Sequence, residues 1–245
     1  LVSIAKRKKC QVIFTTHSND ALAPLPDEAV WACGNGVVSQ GKLDVESLRA
    51  LTGSVEASLT VFVEDDFARE QILAALRNYS RRRGMTLLGI DLHYVGGDAN
   101  VKQFTVSQNA NPAIKIPAVG FFDGDLSGQA DPSQMLFSLP GDGSPESHIY
   151  TAVSESIDDI APRLAIALGM STSEQERLRQ VVPQILKSNR DPHLLFRELG
   201  DELEFTSAVT VRTAFLSQWA ELRPEEVDDI CGPIESTVRP ELVTG

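Results

Sequence analysis

Two short apolar runs in this chain each end abruptly in carboxylates. The first covers residues 61–66, with the sequence VFVEDD, and the second covers residues 120–125, with the sequence GFFDGD. Such a run is typical of a buried β-strand, and in an open α/β sheet ligands bind just beyond the carboxyl ends of the strands. Two such strands side by side would bring together the following acids: Glu64, Asp65, Asp66, Asp123 and Asp125.

Carboxylates that lie this close repel one another strongly. A hard divalent cation relieves the repulsion because it prefers carboxylate oxygens as ligands. Successive residues of an extended strand point to opposite faces, but Gly124 lets the backbone turn, so that Asp123 and Asp125 can reach one ion. The sequence therefore predicts an α/β domain that binds Mg²⁺ or Mn²⁺.

Each acidic motif also has a purely structural interpretation. Asp66 can cap the helix that follows it, and residues 123–125 can form an ordinary Asp-Gly turn. Residues 144–146 (Ser-Pro-Glu) can begin a helix, with the serine as its N-cap and the glutamate in its first turn. The strongly apolar run before them favours the metal interpretation for Asp123 and Asp125, while both interpretations of residues 144–146 stay open.

Composition narrows the possible classes of protein. The 245 residues carry a net charge of −12, which disfavours general nucleic-acid binding, although basic residues cluster at 6–9 and 81–83. Three cysteines without a CxxC pair argue against a disulfide framework or a zinc site and favour a cytoplasmic location. No apolar run approaches the ~20 residues that span a bilayer, and no signal peptide is visible, so we expect no membrane association.

Residues 1–55 are expected to be the end of a preceding domain. Because the chain begins with leucine rather than methionine, we expect a piece of a longer protein. The predicted elements are a buried strand at 11–16, a hairpin formed by 29–33 and 37–39 around a Gly-Asn-Gly turn, and a helix at 44–51.

The central part of the chain alternates between strand and helix patterns. Strands are predicted at 59–63, 87–95, 116–122 and 135–139, with helices from about 66 to 83 and from 101 to 108. Alternation of this kind implies a mostly parallel sheet flanked by helices. From residue 148 onward only helices are predicted, at 149–168, 173–187, 192–199, 207–222 and 224–231.

In this order the motifs resemble the C-terminal half of an OLD-family (overcoming lysogenization defect) nuclease. Residues 11–20 resemble the last core strand and histidine switch of an ABC-type ATPase, in which His17 would sense the γ-phosphate of ATP. Glu64 matches the glutamate of the first Toprim motif, and Asp123 and Asp125 match the Toprim DxD motif. Residues 144–146 resemble the Ser-x-Glu metal element of the class 2 members.

The resemblance implies three domains and a reaction. The domains are an ATPase remnant at 1–55, a Toprim catalytic domain at 56–150 and a helical domain at 151–245. The reaction is endo- or exonucleolytic cleavage of DNA phosphodiesters by two Mg²⁺ or Mn²⁺ ions about 3.5–4 Å apart. ATP would serve only an ATPase domain outside this chain, through which the full-length protein would form a homo-oligomer.

The implied metal ligands include two residues from the later element. The full set is Glu64, Asp65, Asp66, Asp123, Asp125, Ser144 and Glu146. Toprim motifs usually have a glycine after the glutamate and often an acid four residues on, where this chain has Asp65 and Ala68. Either Asp65 or Asp66 is therefore expected to take over a ligand role, or one metal site has fewer ligands.

OLD-like enzymes also carry a functional lysine in the helical domain. Lys187 is the best match here and is expected to stabilise the charged transition state, with Arg190 as the alternative. The ordinary interpretation of Lys187 is a cation that ends a helix.

Two other functions compete with the nuclease. A haloacid-dehalogenase-like phosphatase also has an apolar strand that ends in DxD, with Asp123 as nucleophile and Asp125 as general acid, but no third motif of that class follows. A regulatory Toprim module would bind DNA or a partner without catalysis.

Overall fold

The computed structural model describes residues 7–9, 11–13, 15, 25, 29–34, 37–40, 57–84, 89–204 and 206–238. The chain forms two compact units, residues 1–55 and residues 56–245.

The described elements of the first unit are two strands. β1 (Trp31–Gly34) and β2 (Val37–Gln40) pair antiparallel, so the predicted hairpin is confirmed. The predicted buried strand at 11–16 is wrong for its described residues, because 11–13 and 15 are exposed and pair with no described strand. His17 and the predicted helix at 44–51 lie outside the described residues.

The second unit contains a four-stranded sheet. Its strands are β3 (Leu59–Val63), β4 (Ile90–Tyr94), β5 (Ala118–Phe122) and β6 (Leu136–Ser138). They stand in the order β4-β3-β5-β6, and every neighbouring pair is parallel. The predicted α/β class with a mostly parallel sheet and a following helical region is therefore confirmed. β3 has the predicted bounds, whereas β4, β5 and β6 are shorter than predicted.

Both faces of the sheet are covered. β3 and β5 are buried along their whole length, which explains why they read as continuous apolar runs rather than as alternating patterns. Val61 and Phe121 face the main core, whereas Phe62 and Phe122 face a smaller cluster on the other side. This alternation is the period of two that an extended strand imposes.

The crossover helices cover these two faces. Helix α1 (Asp66–Arg83) buries Phe67, Ile72 and Tyr79 in the main core. Helix α2 (Asp98–Ala110) places Val101 in the smaller cluster. The right-handed crossovers of a parallel sheet require such helices between strands.

The ends of α1 are set by local chemistry. Asp65, not Asp66, is the N-cap, because the Asp65 carboxylate accepts a hydrogen bond from the backbone N–H of Ala68 at 2.8 Å. The expectation that Asp66 is the cap was therefore wrong by one residue. At the other end three arginines complement the helix dipole, and Gly84 takes the left-handed conformation with φ 62°.

Among the described residues, the unit contains six further α-helices. They are α3 (Pro145–Glu155), α4 (Ile157–Ala167), α5 (Gln175–Ser188), α6 (Leu195–Glu202), α7 (Ala208–Leu222) and α8 (Pro224–Thr237). The single helix predicted at 149–168 is two helices that meet at Ser156. The boundary predicted between residues 150 and 151 falls inside α3. Among the described residues, no helix has both the length and the apolar character needed to cross a membrane.

The helical region packs directly on the sheet layer. One continuous hydrophobic cluster contains Leu59 and Val61 from β3, Tyr79 from α1 and Trp219 from α7. Between these layers Arg212 of α7 reaches α1, where its guanidinium lies 2.6 Å from the carboxylate of Glu70. The apolar cluster and this ion pair thereby join the sheet layer to helices from the second half of the chain.

Candidate functional site

The two acidic motifs meet at the carboxyl edge of the sheet. β3 and β5 are adjacent and parallel, with Val63 opposite Phe121, so Glu64 and Asp123 follow the two strands side by side. The backbone N–H of Asp123 donates a hydrogen bond to Glu64 Oε1 at 3.0 Å. The predicted proximity of these two motifs is therefore confirmed.

A tight backbone contact brings a third segment to the same edge. A Cβ atom on Gly124 would lie 2.3 Å from the carbonyl oxygen of Gly141, so only glycine fits between Asp123 and Asp125. The backbone N–H of Leu139 also donates to the carbonyl of Phe122 at 2.8 Å. These contacts tie the end of β5 to the loop that leads into α3.

Helix α3 begins at this loop and carries Glu146 in its first turn. Ser144 is the N-cap, since its Oγ accepts a hydrogen bond from the backbone N–H of Ser147 at 3.3 Å. Glu146 is buried, with only 6% of its surface exposed, which is unusual for a glutamate. The structural role proposed for Ser144 is thus observed, and Glu146 additionally joins the acidic edge.

Asp123 is the electrostatic centre of the cluster. Its pKa is raised to about 7, mainly by burial and then by the neighbouring carboxylates in the order Glu64, Asp65, Glu146 and Asp125. Its Oδ1 atom is buried and has no hydrogen-bond partner among the described residues. A desolvated carboxylate among like charges is costly to ionise, so this site favours a compensating cation.

The pKa of Glu64 is also raised. Burial raises its pKa, against the lowering effect of the hydrogen bond from Asp123, and the carboxylates of Asp98, Asp125 and Asp65 raise it further. We call the five acids Glu64, Asp65, Asp123, Asp125 and Glu146 the acidic rim.

Asp66 does not belong to the acidic rim. Its carboxylate lies 3.0 Å from the guanidinium of Arg69 and 3.6 Å from that of Arg212. Asp66 therefore lies beside two arginines, and of the two candidate replacement ligands the structure places only Asp65 among the other acids. Asp65 also serves as the N-cap of α1.

His193 contacts Glu146 of the acidic rim, and the sequence motifs did not identify it as a functional residue. Its Nδ1 lies 2.8 Å from Glu146 Oε1, and this hydrogen bond raises the histidine pKa. Because an ionised carboxylate can only accept, Nδ1 is the donor. The Asp-Pro-His sequence at 191–193 signals an irregular segment between helices, but it gives no indication of what the imidazole contacts.

Asp98 is a second acid that sequence reasoning did not include. It is the first residue of α2, directly after β4, and two glycines with positive φ (Gly96 and Gly97) precede it. Its carboxylate raises the pKa of Glu64 and accepts a hydrogen bond from Gln129 Nε2 at 3.2 Å. The available signal was a third parallel strand that is followed, after a two-glycine turn, by an acid.

Lys187 is exposed in the last turn of α5 and forms no ion pair among the described residues. Arg190 is exposed in the following segment. The structure brings neither into contact with the acidic rim, although the same segment delivers His193 to it three residues later. The role of Lys187 stays a prediction.

The acidic rim suits a hard divalent cation in its donor chemistry. All five of its side chains are carboxylates, and the orphaned Oδ1 of Asp123 supplies an unused acceptor. In the described residues no group of three His, Cys, Asp or Glu side chains is already arranged to hold an ion. The mutually repelling carboxylates would therefore draw closer together to coordinate one.

Three comparisons with known proteins give different results. No protein-family model and no curated protein matches the chain. Among solved structures, the C-terminal region of the Burkholderia pseudomallei OLD protein matches with 19% identity and a TM-score of 0.44, covering 75% of this chain and 99% of that one. The C-terminal region of the Xanthomonas campestris pv. campestris OLD protein matches with 18% identity and a TM-score of 0.43, covering 74% and 96%. These solved structures belong to the family that the sequence motifs resemble.

Proposed function

We propose that this chain hydrolyses DNA phosphodiester bonds with divalent cations held by the acidic rim. The observation that carries the proposal is the environment of Asp123, a largely buried carboxylate that has an unpartnered oxygen and is surrounded by four other acids. Such a cluster is destabilising unless a cation offsets its charge, so its presence at the sheet edge indicates a functional site.

The donor set indicates which residues would hold the ions. Glu64, Asp123, Asp125 and Glu146 are the proposed ligands, with Asp65 as a further candidate. Bound Mg²⁺ or Mn²⁺ would supply an activated water and would stabilise the leaving oxygen of a phosphodiester.

The chain's own residues prepare this site. The backbone N–H of Asp123 orients Glu64, and His193 orients Glu146 from the helical region. The closely packed Gly124 fixes the turn that presents Asp123 and Asp125. Lys187 is the proposed cation for the transition state, with Arg190 as the alternative.

The choice of DNA as substrate rests on the motifs. Their order, a glutamate strand followed by DxD and Ser-x-Glu, resembles that of OLD-family nucleases. Carboxylate-held metal pairs are also typical of enzymes that cleave phosphodiesters by in-line displacement. Within that class, the sequence motifs favour a nuclease over the phosphatase alternative.

Cleavage of a supercoiled plasmid tests the proposal. We expect nicking or degradation with Mg²⁺ or Mn²⁺ and none with EDTA. Asp123→Ala should abolish cleavage, since it removes the central carboxylate, whereas Asp159→Ala removes an exposed acid from the first turn of α4 and should leave the rate unchanged.

Two outcomes would contradict the proposal. Full activity of the purified Asp123→Ala variant would show that the acidic rim is not the site. A phosphoryl group covalently attached to Asp123 would instead identify a phosphatase of the haloacid-dehalogenase type.

A further inference from the structure

A groove of about 520 Å³ runs between α1 and α7. One wall is a row of side chains on α1 that contains Arg69, Arg77 and Arg81. These positions are eight and four residues apart, and residues spaced by multiples of four lie on one ridge of a helix. The three arginines therefore follow one ridge, which is inclined to the helix axis, and all three line the same groove.

Beside the arginines, the groove is lined mainly by small side chains, together with Leu73 and Leu216. Ala74 of α1 faces Thr213, Ser217 and Ala220 of α7 across the groove. Because these side chains are short, the two helices leave an open channel beside the arginine ridge.

The arginine ridge carries positive charge that carboxylates of this chain do not fully offset. Arg77 is exposed and has no hydrogen bond or ion pair among the described residues. The pairs Arg69–Asp66 and Arg81–Glu221 are partly solvent-exposed, and exposed ion pairs contribute little stability, so phosphate oxygens can compete with these carboxylates. The acid that lines the groove, Glu70, is engaged by Arg212 instead. This local surplus contrasts with the net charge of −12 for the whole chain.

The ridge is continuous with the acidic rim. Asp65 of the rim caps the first turn of α1, and Arg69 lies one turn further along the same helix. At a rise of about 1.5 Å per residue, the distance from Asp65 to Arg81 is about 24 Å, which equals about seven base-pair steps of DNA.

We propose that this groove binds the phosphodiester backbone of DNA and leads it to the acidic rim. The inference rests on the proposed function, because it takes its ligand from that reaction. A polyanion matches a row of guanidinium groups, and Arg is well suited to phosphate oxygens. A globally acidic chain needs such a local cationic surface if phosphates are to approach carboxylates at all.

Binding of a fluorescein-labelled 20-base-pair duplex tests the groove, measured by anisotropy in EDTA so that the DNA stays intact. We expect the double variant Arg77→Ala/Arg81→Ala to bind about tenfold more weakly, with the slope of log affinity against log salt reduced by about 1.8. Arg77→Lys keeps the charge and should bind almost as wild type. The matched control Arg197→Ala removes an exposed arginine from α6 and should change neither quantity.

A short diester separates this inference from the proposed function. Bis(p-nitrophenyl) phosphate is too small to reach the ridge, so the double variant should cleave it at the wild-type rate while cleaving plasmid slowly. Unchanged DNA affinity in the double variant would overturn the groove while leaving the nuclease intact. If the wild-type protein cleaves neither substrate but the double variant binds DNA more weakly, the result would support the groove and contradict the proposed function. Equal competition by poly-glutamate would overturn the inference in favour of an acidic protein segment.

Discussion

Asp123, the centre of the proposed site, lowers the stability of the folded chain at neutral pH. Its pKa is raised to about 7, above the ordinary value of 3.8. The folded chain therefore holds this proton over a pH range in which the unfolded chain has lost it. Stability falls as pH rises from about 4 to about 7, and the destabilisation is fully present above that range.

Asp123→Asn should accordingly stabilise the chain at high pH. The variant keeps the shape of the side chain but cannot ionise, so its melting temperature should exceed that of wild type at pH 8 and approach it at pH 4. Each 1 kcal/mol of relief corresponds to about 2–4 °C for a chain of this size. Thermal melts in EDTA check this, and an equal difference at both pH values would contradict it. Added Mn²⁺ should stabilise wild type more than Asp123→Asn.

His193 should act on the site through Glu146. Removing its Nδ1 donor leaves a buried carboxylate without its partner, and loss of a supporting hydrogen bond of this type lowers metal affinity about 10- to 100-fold. We expect this effect for His193→Ala, measured by calorimetric titration with Mn²⁺. His193→Asn places an amide donor near the same position and should recover much of the affinity. The control His93→Ala, in an exposed position on β4, should bind as wild type; equal loss in both variants would rule out a specific role.

At the scale of elements, the acidic rim depends on how closely two backbone segments approach. The turn after β5 packs against the loop before α3 at Gly124, where a side chain would collide with a backbone carbonyl rather than with a flexible group. Backbone cannot move aside as a side chain can, so the contact fixes the distance between the DxD motif and the first turn of α3.

Gly124→Ala should therefore impair the site without removing any acid. The added methyl group must push the two segments apart, at a cost of about 1–3 kcal/mol typical of overpacking. Plasmid cleavage should fall sharply while all five carboxylates remain. Gly128→Ala serves as the control, because its Cβ would meet nothing within 4 Å and its φ is not in the left-handed region. Similar activities for the two variants would show that the approach at Gly124 is not required.

The same elements show how far sequence reasoning reaches. β3 and β5 were predictable because both are buried on both faces, which gives unbroken apolar runs, and α1 because its caps and periodic apolar residues agree. The cluster of Glu64 with Asp123 followed from the parallel topology. The contact of His193 with Glu146 was not predictable, because it joins residues 47 positions apart through helix packing that no local pattern encodes. The N-cap was missed because Asp65 and Asp66 are chemically equivalent at that position.

At the scale of the whole second unit, the sheet and the helices share one core. α1 packs on β3 with one side and contacts α7 and α8 with another, and Arg82 of α1 lies 2.5 Å from Asp228 of α8. Tyr79 of α1 is also buried and hydrogen-bonded to Glu235. Without α7 and α8, Ala75, Leu76 and Tyr79 would face water.

Residues 56–150 alone should therefore fail to form a cooperative fold. We expect this fragment to bind the dye ANS and to lack a sharp thermal transition, because the apolar face of α1 is uncovered. Residues 56–245 provide the control and should melt in a single transition with little dye binding. A cooperative transition of the shorter fragment, followed by circular dichroism, would contradict the expectation and would support an independent domain at 56–150.

The shared core also sets a delay during synthesis of the protein. Val238, at the end of α8, belongs to the same buried cluster as Leu59 of β3. A ribosome that has completed α1 must add roughly 150 further residues before that cluster can close, which takes on the order of 10 to 30 s at typical rates of translation. Throughout this interval the apolar side of α1 is available to other chains, so the yield of native protein depends on how well the cell shields one nascent helix.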